Sequence, residues 1–163
     1  VVHGDGRSLW SSCHRDDVAS AFVSAAAHPG VASGRAYHVT GEEWLTWDRY
    51  YEAWAQALDA ACPPLVHIPT DLLGRALPEQ ALWCVENFSY NNIFDNAAVR
   101  RDLGFEYHIP VADGFRRTVQ WLIANNQVQP AETAPYYDAL IRAWERLGSD
   151  LAAALAPFRV GGA

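Results

Sequence analysis

The 163 residues contain no lysine, no methionine and no Gly-x-Gly-x-x-Gly. Without lysine, all side-chain positive charge at neutral pH rests on arginine, and the net charge is −7. That balance argues against a surface that tracks nucleic-acid phosphates, which needs clustered Lys and Arg. Long apolar runs are missing too. None approaches the roughly 20 residues that a bilayer-crossing helix requires, and no basic segment with an apolar one behind it heads the chain, so neither a membrane span nor a secretory leader is predicted. Cysteine is scarce. Cys13, Cys62 and Cys84 are odd in number and unrelated in spacing, unlike a disulfide framework or a zinc ribbon, which predicts reduced thiols in a cytoplasmic protein. The chain opens on Val1-Val2-His3-Gly4-Asp5-Gly6 where an unprocessed chain carries methionine, and this predicts a fragment or a trimmed domain.

What is present is globular. Half the residues are apolar and seven are tryptophan, which excludes a disordered class. The length suits one domain that buries roughly two-thirds of its unfolded surface.

Local patterns predict an alternation of short strands and helices. Residues 9–14 follow a glycine turn and read as a strand, after which Asp16 or Asp17 caps a helix ending near His28. In that helix Val18, Ala21, Phe22, Ala25 and Ala26 form one apolar stripe. A strand is expected over 35–40. Thr46 is an N-cap for a helix whose Trp47, Tyr51, Trp54, Ala55 and Leu58 share a buried face. Residues 65–68 read as a strand pairing with 9–14, and short helices are expected over 71–77 and 78–86. Asp95 caps a helix closed by Leu103-Gly104, and Ile109-Pro110 leads into a helix with Phe115, Val119, Leu122 and Ile123 on one face. The domain is expected to end at 125–130. Beyond it, Tyr136, Leu140, Trp144, Leu147, Leu151 and Leu155 recur at steps of three or four, predicting an amphipathic extension broken at Gly148. Two regions result, 1–126 and 127–163, and residues 160–163 are expected to fray.

Four segments in order carry a family likeness. Gly4-Asp5-Gly6 comes first, with Cys13-His14-Arg15-Asp16-Asp17-Val18-Ala19 after it; then Gly34-Arg35-Ala36-Tyr37-His38-Val39-Thr40-Gly41; then the run from Phe94 to Phe105; then Asp113-Gly114-Phe115-Arg116-Arg117-Thr118-Val119-Gln120-Trp121-Leu122. Over about residues 4 to 123 the chain resembles the C-terminal, substrate-binding half of an extended short-chain dehydrogenase/reductase, the family of NAD-dependent epimerases and dehydratases. The resemblance implies an α/β, helix-rich lobe of a Rossmann-type enzyme, a small sheet with helices packed on it, from which the glycine-rich cofactor half is absent. The family's Tyr-x-x-x-Lys pair is absent as well, and with no lysine nothing replaces it. NAD or NADP is then bound mainly by the missing half, none is expected on this chain alone, and no catalytic, cofactor-binding or metal residue is assigned here.

The same resemblance places substrate contacts at Arg7, Trp10, His14, Tyr90, Asn92 and Phe94. Trp10 and His14 would alternate onto one strand face, and Tyr90, Asn92 and Phe94 lie in a loop that the family uses to cover substrate. Where sugar-nucleotide members carry an arginine this chain has Trp10, with Arg7 or Arg116 as partial substitutes, which favours a less charged carbonyl or hydroxyl substrate. The structural alternatives are a core role for Trp10, a bracing role for His14 and a capping role for Asp17. His14-Arg15-Asp16 matches the opening of a kinase catalytic loop, but Ala21 stands where that loop needs asparagine. Cys13, His14 and Asp16 lack metal-ligand spacing.

The expected function is therefore the substrate-binding portion of an NAD(P)-dependent oxidoreductase, epimerase or dehydratase, incomplete without its Rossmann half. The alternative is a stand-alone binding module, a partner subunit, or a cofactor-independent isomerase or cyclase. Partners expected are the missing half or another subunit, a small-molecule substrate and a second copy of the chain, with neither nucleic acid nor membrane among them.

Overall fold

Val2 and Ile68 are both fully buried, and they lie in the pair of strands from which the rest is arranged. In the computed structural model, which describes residues 1–159, β1 (Val2–His3) runs parallel to β4 (His67–Ile68), with Val2 opposite His67 and His3 opposite Ile68. Gly4 and Gly6 follow at φ 60° and 71°, a left-handed geometry open chiefly to glycine. Gly6 is also fixed by packing, because a Cβ there would land 2.1 Å from the Asp48 carboxylate. The turn delivers the chain into β2 (Leu9–Ser11), which pairs antiparallel with β3 (Trp44–Thr46).

Leu9–Ser11 and His67–Ile68 thus belong to different two-stranded sheets and do not pair with each other. Each sheet is too small to stand by itself, so packing by helices and loops completes it. Asn92 bridges to Trp10 as a further, isolated parallel partner, its N–H donating to the Leu9 carbonyl at 2.8 Å.

The strand stops at Ser11, and α1 (Arg15–Ala27) begins after His14, which is its N-cap in place of Asp16 or Asp17. The inward face of α1 also differs from the apolar stripe: Asp17 and Ala21 are buried, whereas Phe22 is 72% exposed. A one-turn helix, α2 (Pro29–Ala32), follows. Residues 35–40 form no strand. The side chain of buried Asn96 takes the place of a neighbouring strand, Thr40 N–H donating to Asn96 Oδ1 at 3.0 Å and Asn96 Nδ2 donating to the Thr40 carbonyl at 2.8 Å. Further along, Arg35 and Tyr37 both reach the Asp102 carboxylate at 3.1 Å, and Tyr37 and Val39 pack on a core of Ala21, Val99, Leu103 and Phe105. Arg101 beside Asp102 holds that carboxyl below the usual carboxylate range, helped by Tyr37 and Arg35.

Thr46 caps α3 (Trp47–Ala57), its hydroxyl accepting the Arg49 N–H at 3.3 Å. Trp47 and Ala55 are buried, whereas Tyr51 and Leu58 of the expected face are exposed. After β4 comes α4 (Thr70–Ala76). The helix expected over 78–86 is displaced: turns over 78–81 lead into helical residues from 82 on, of which Cys84–Phe88 are π-helical. The N-cap of α5 (Ala97–Leu103) is Asn96 rather than Asp95, whose carboxylate accepts the Ala97 N–H at 2.8 Å, and the helix closes on Gly104 at φ 65°. α6 (Val111–Ala124) buries Val111, Gly114, Phe115 and Val119, but Ile123 is exposed.

The chain divides between Gln127 and Val128. The second unit is built on α7 (Tyr136–Leu155), a single 20-residue helix that runs through Gly148 without a break. The fraying expected of residues 160–163 falls outside the described residues. The protein is a helix-rich α/β fold of short strands, and among the described residues no helix is long and apolar enough to cross a membrane.

Candidate functional site

A cavity of about 540 Å³ opens where the start of α1, the middle of α3 and one face of α6 meet. The chain enters it through His14. Because the strand has ended, the imidazole is free to turn back and accept the Asp16 N–H at Nδ1, at 3.2 Å, which caps α1 and brings the ring against the cavity wall. The His14 side chain is only 9% exposed, and no hydrogen bond engages its Nε2 among the described residues.

α6 supplies the opposite wall. Gly114, Arg117, Thr118, Trp121 and Leu122 fall at i, i+3, i+4, i+7 and i+8, so one helix face looks into the space. α6 passes His14 at Gly114, where a Cβ would stand in ordinary van der Waals contact, 3.4 Å from His14 Cδ2. The floor is aromatic. Trp54 of α3 stacks on Phe115 at 4.2 Å between centroids and 14° between planes, and Tyr50 meets Phe115 edge-on at 5.0 Å. At the mouth the Arg15 guanidinium lies over the Trp121 ring, 5.9 Å from its centroid.

None of the polar groups here is an evident nucleophile. Burial, and then the charges of Asp17 and Glu42, push the Cys13 thiol up to about 11, so it stays protonated near neutrality. The Thr118 hydroxyl donates to the Gly114 carbonyl at 2.8 Å. Asp16 is shared between Arg15, at 3.5 Å, and the His14 ring, at 3.6 Å.

A second, smaller cavity of about 290 Å³ surrounds the Gly4-Asp5-Gly6 turn, with Arg7, Ser8, Thr70 and Asn91 among its walls. His3 lines it as well, and its buried Nε2 has no hydrogen-bond partner. Burial lowers the pKa of that imidazole, keeping it neutral, although the nearby Asp5 charge pulls the other way.

The six residues expected to contact substrate do not share one cavity. His14 is in the larger and Arg7 in the smaller. Trp10 does not alternate with His14 on a strand face, since the strand stops short of His14; its ring stacks on Trp47 at 5.8 Å and meets Phe88 edge-on at 5.1 Å. Asn92 uses its backbone on Leu9, while its Nδ2 donates to the Asn87 and Tyr90 carbonyls. Tyr90 is exposed, and Phe94 packs on His38. Asp17 caps nothing: its carboxylate accepts the N–H groups of His108 and Ile109 at 3.3 and 3.0 Å.

Sequence reasoning missed Arg15, Tyr50, Trp54, Arg117, Thr118 and Trp121 as cavity residues. The available signal was on α6, where a glycine, an arginine and a threonine line up with Trp121 beside the apolar face.

The Gly4-Asp5-Gly6 turn links strand to strand, so no helix N-terminus receives it, and these residues do not fit the pyrophosphate of a dinucleotide. Among the described residues no three His, Cys, Asp or Glu side chains are grouped as metal ligands. No family model and no curated protein matches the chain.

Proposed function

We propose that Val2–Gln127 is the substrate-binding lobe of an NAD(P)-dependent oxidoreductase, epimerase or dehydratase, and that the cavity between α1, α3 and α6 holds the substrate. The observation that carries this reading is the cavity itself. Its volume falls within the range of small-molecule sites, and a few polar groups converge on an aromatic floor, as such sites require. The lobe moulds and orients; cofactor binding and proton transfer belong to a Rossmann lobe on other polypeptide, in line with the four ordered segments and with the absence of lysine. Three unpaired cysteines suit a reducing, cytoplasmic setting.

His14 favours one other reading. A largely buried imidazole with an unengaged Nε2 beside an aromatic floor suits an isomerase or cyclase that needs no cofactor.

The test is to assay NAD(P)H oxidation with carbonyl substrates, using this chain alone and the whole product of its coding region. Turnover by the whole product, with ligand binding but no turnover by the chain alone, is the expected result. Turnover by the chain alone overturns the proposal, and isomerisation without nucleotide supports the second reading.

A further inference from the structure

We infer that the ligand of the cavity between α1, α3 and α6 is an organic anion, a carboxylate on a flat apolar frame, and that Arg117 selects it by charge. This rests on reading the cavity as a small-molecule site and adds the ligand's class.

The electrostatic argument is one of pairing. Arg15, Asp16 and Arg117 are the charged residues lining the cavity. Arg15 and Asp16 lie within 3.5 Å and offset each other, and Arg15 is engaged further by the Trp121 ring. Arg116 is taken by Asp113 at 2.7 Å. Arg117, an exposed residue at the cavity's edge, has no ion-pair partner among the described residues, so the entrance of the cavity in a protein with net charge −7 carries an unpaired cation. A guanidinium in that setting prefers a planar carboxylate, which it can meet with two parallel hydrogen bonds.

The geometric argument fixes the frame. Trp121 follows Arg117 by four residues on the same helix face, which sets the two side chains roughly 6 Å apart at their bases. A carboxylate seated on Arg117 therefore carries its apolar body over Trp121 and toward Trp54 and Phe115. His14, with its unengaged Nε2, stands across from Gly114 in the same space and offers the ligand a second polar contact.

Calorimetric titration of the full chain with 1-naphthaleneacetate and with its neutral isostere 1-naphthaleneacetamide tests this. The carboxylate is expected to bind at least about tenfold tighter than the amide, and Arg117→Gln to bring the two within about twofold without weakening the amide. Arg116→Gln keeps the preference. Equal binding of the two compounds, or a preference that survives Arg117→Gln, overturns the inference and leaves the cavity as a small-molecule site. Binding of neither compound overturns both.

Discussion

The carboxylate of Asp17, on the first turn of α1, accepts the backbone N–H of Ile109 at 3.0 Å across 92 positions of sequence. With the His108 N–H on the same oxygen, it fixes where the chain turns into α6 and hence where the cavity's second wall stands. Asp17 is 3% exposed, so its removal leaves the buried Ile109 amide, and the part-buried His108 amide beside it, without a partner. Asp17→Ala is expected to lower stability by about 3 kcal/mol. Urea unfolding followed by tryptophan fluorescence measures this, and a loss below half that figure contradicts the clamp role.

Asn96 acts as a one-residue substitute for a strand. It satisfies both backbone groups of Thr40, and Asn96→Ala is expected to cost about 2 kcal/mol. Asn96→Asp should be no milder, because it replaces the donor facing the Thr40 carbonyl with an acceptor and sets a second charge beside Glu42. Faster amide exchange over 35–40 in both variants is the accompanying sign.

Cys13 and Cys62 should differ sharply in reactivity. Cys62 is exposed, while burial raises the Cys13 thiol to about 11, so iodoacetamide at pH 8 should label Cys62 first and Cys13 only on unfolding. The folded state holds the Cys13 proton more tightly than the unfolded chain, whose thiol titrates near 9.0. The stability linked to that proton is fully present below pH 9.0 and is lost as pH rises toward about 11. Tyr107, raised by burial and by its hydrogen bond to Glu43, acts in the same direction at alkaline pH. Mass spectrometry of labelled peptides and alkaline unfolding curves check the two halves of this prediction.

His14 has two roles that substitution can separate. His14→Ala removes the cap of α1 and should cost about 1 kcal/mol, whereas His14→Ser keeps a capping oxygen and most of the stability. Both variants lose the ring from the cavity wall and should weaken naphthaleneacetate binding. Unaltered binding by His14→Ser would leave His14 with the cap alone.

Gly148 lies in the interior of α7, and a Cβ there meets nothing within 4 Å. Gly148→Ala should stabilise the helix by about 1 kcal/mol and raise its helicity by circular dichroism. A fall in helicity would restore the break at this position that the sequence suggests.

Features that depend on adjacent residues were legible in the sequence: the Thr46 cap, the Asp95 turn, the Gly104 stop and the span of α6. What eluded it depends on distant partners. Nothing near Val2 announces that two residues suffice for a strand once Ile68 lies beside them. Nor does the β-branched and aromatic run at 35–40 reveal that an asparagine side chain some 56 positions on will occupy its edge. The cavity was half legible for the same reason: His14 stood out by residue type, while Trp54 and Trp121 looked like ordinary helix-face aromatics until α3 and α6 converged.

The bonds that organise Val2–Gln127 join early residues to late ones: β1 waits for β4, Leu9 for Asn92, Asp17 for Ile109. A chain emerging from a ribosome would hold β1 unpaired until Ile68 had been made and Asp17 without its amide partners until Ile109 had. Chaperone demand during synthesis, and sensitivity to translation speed in the stretch before Ile109, follow directly from that wiring.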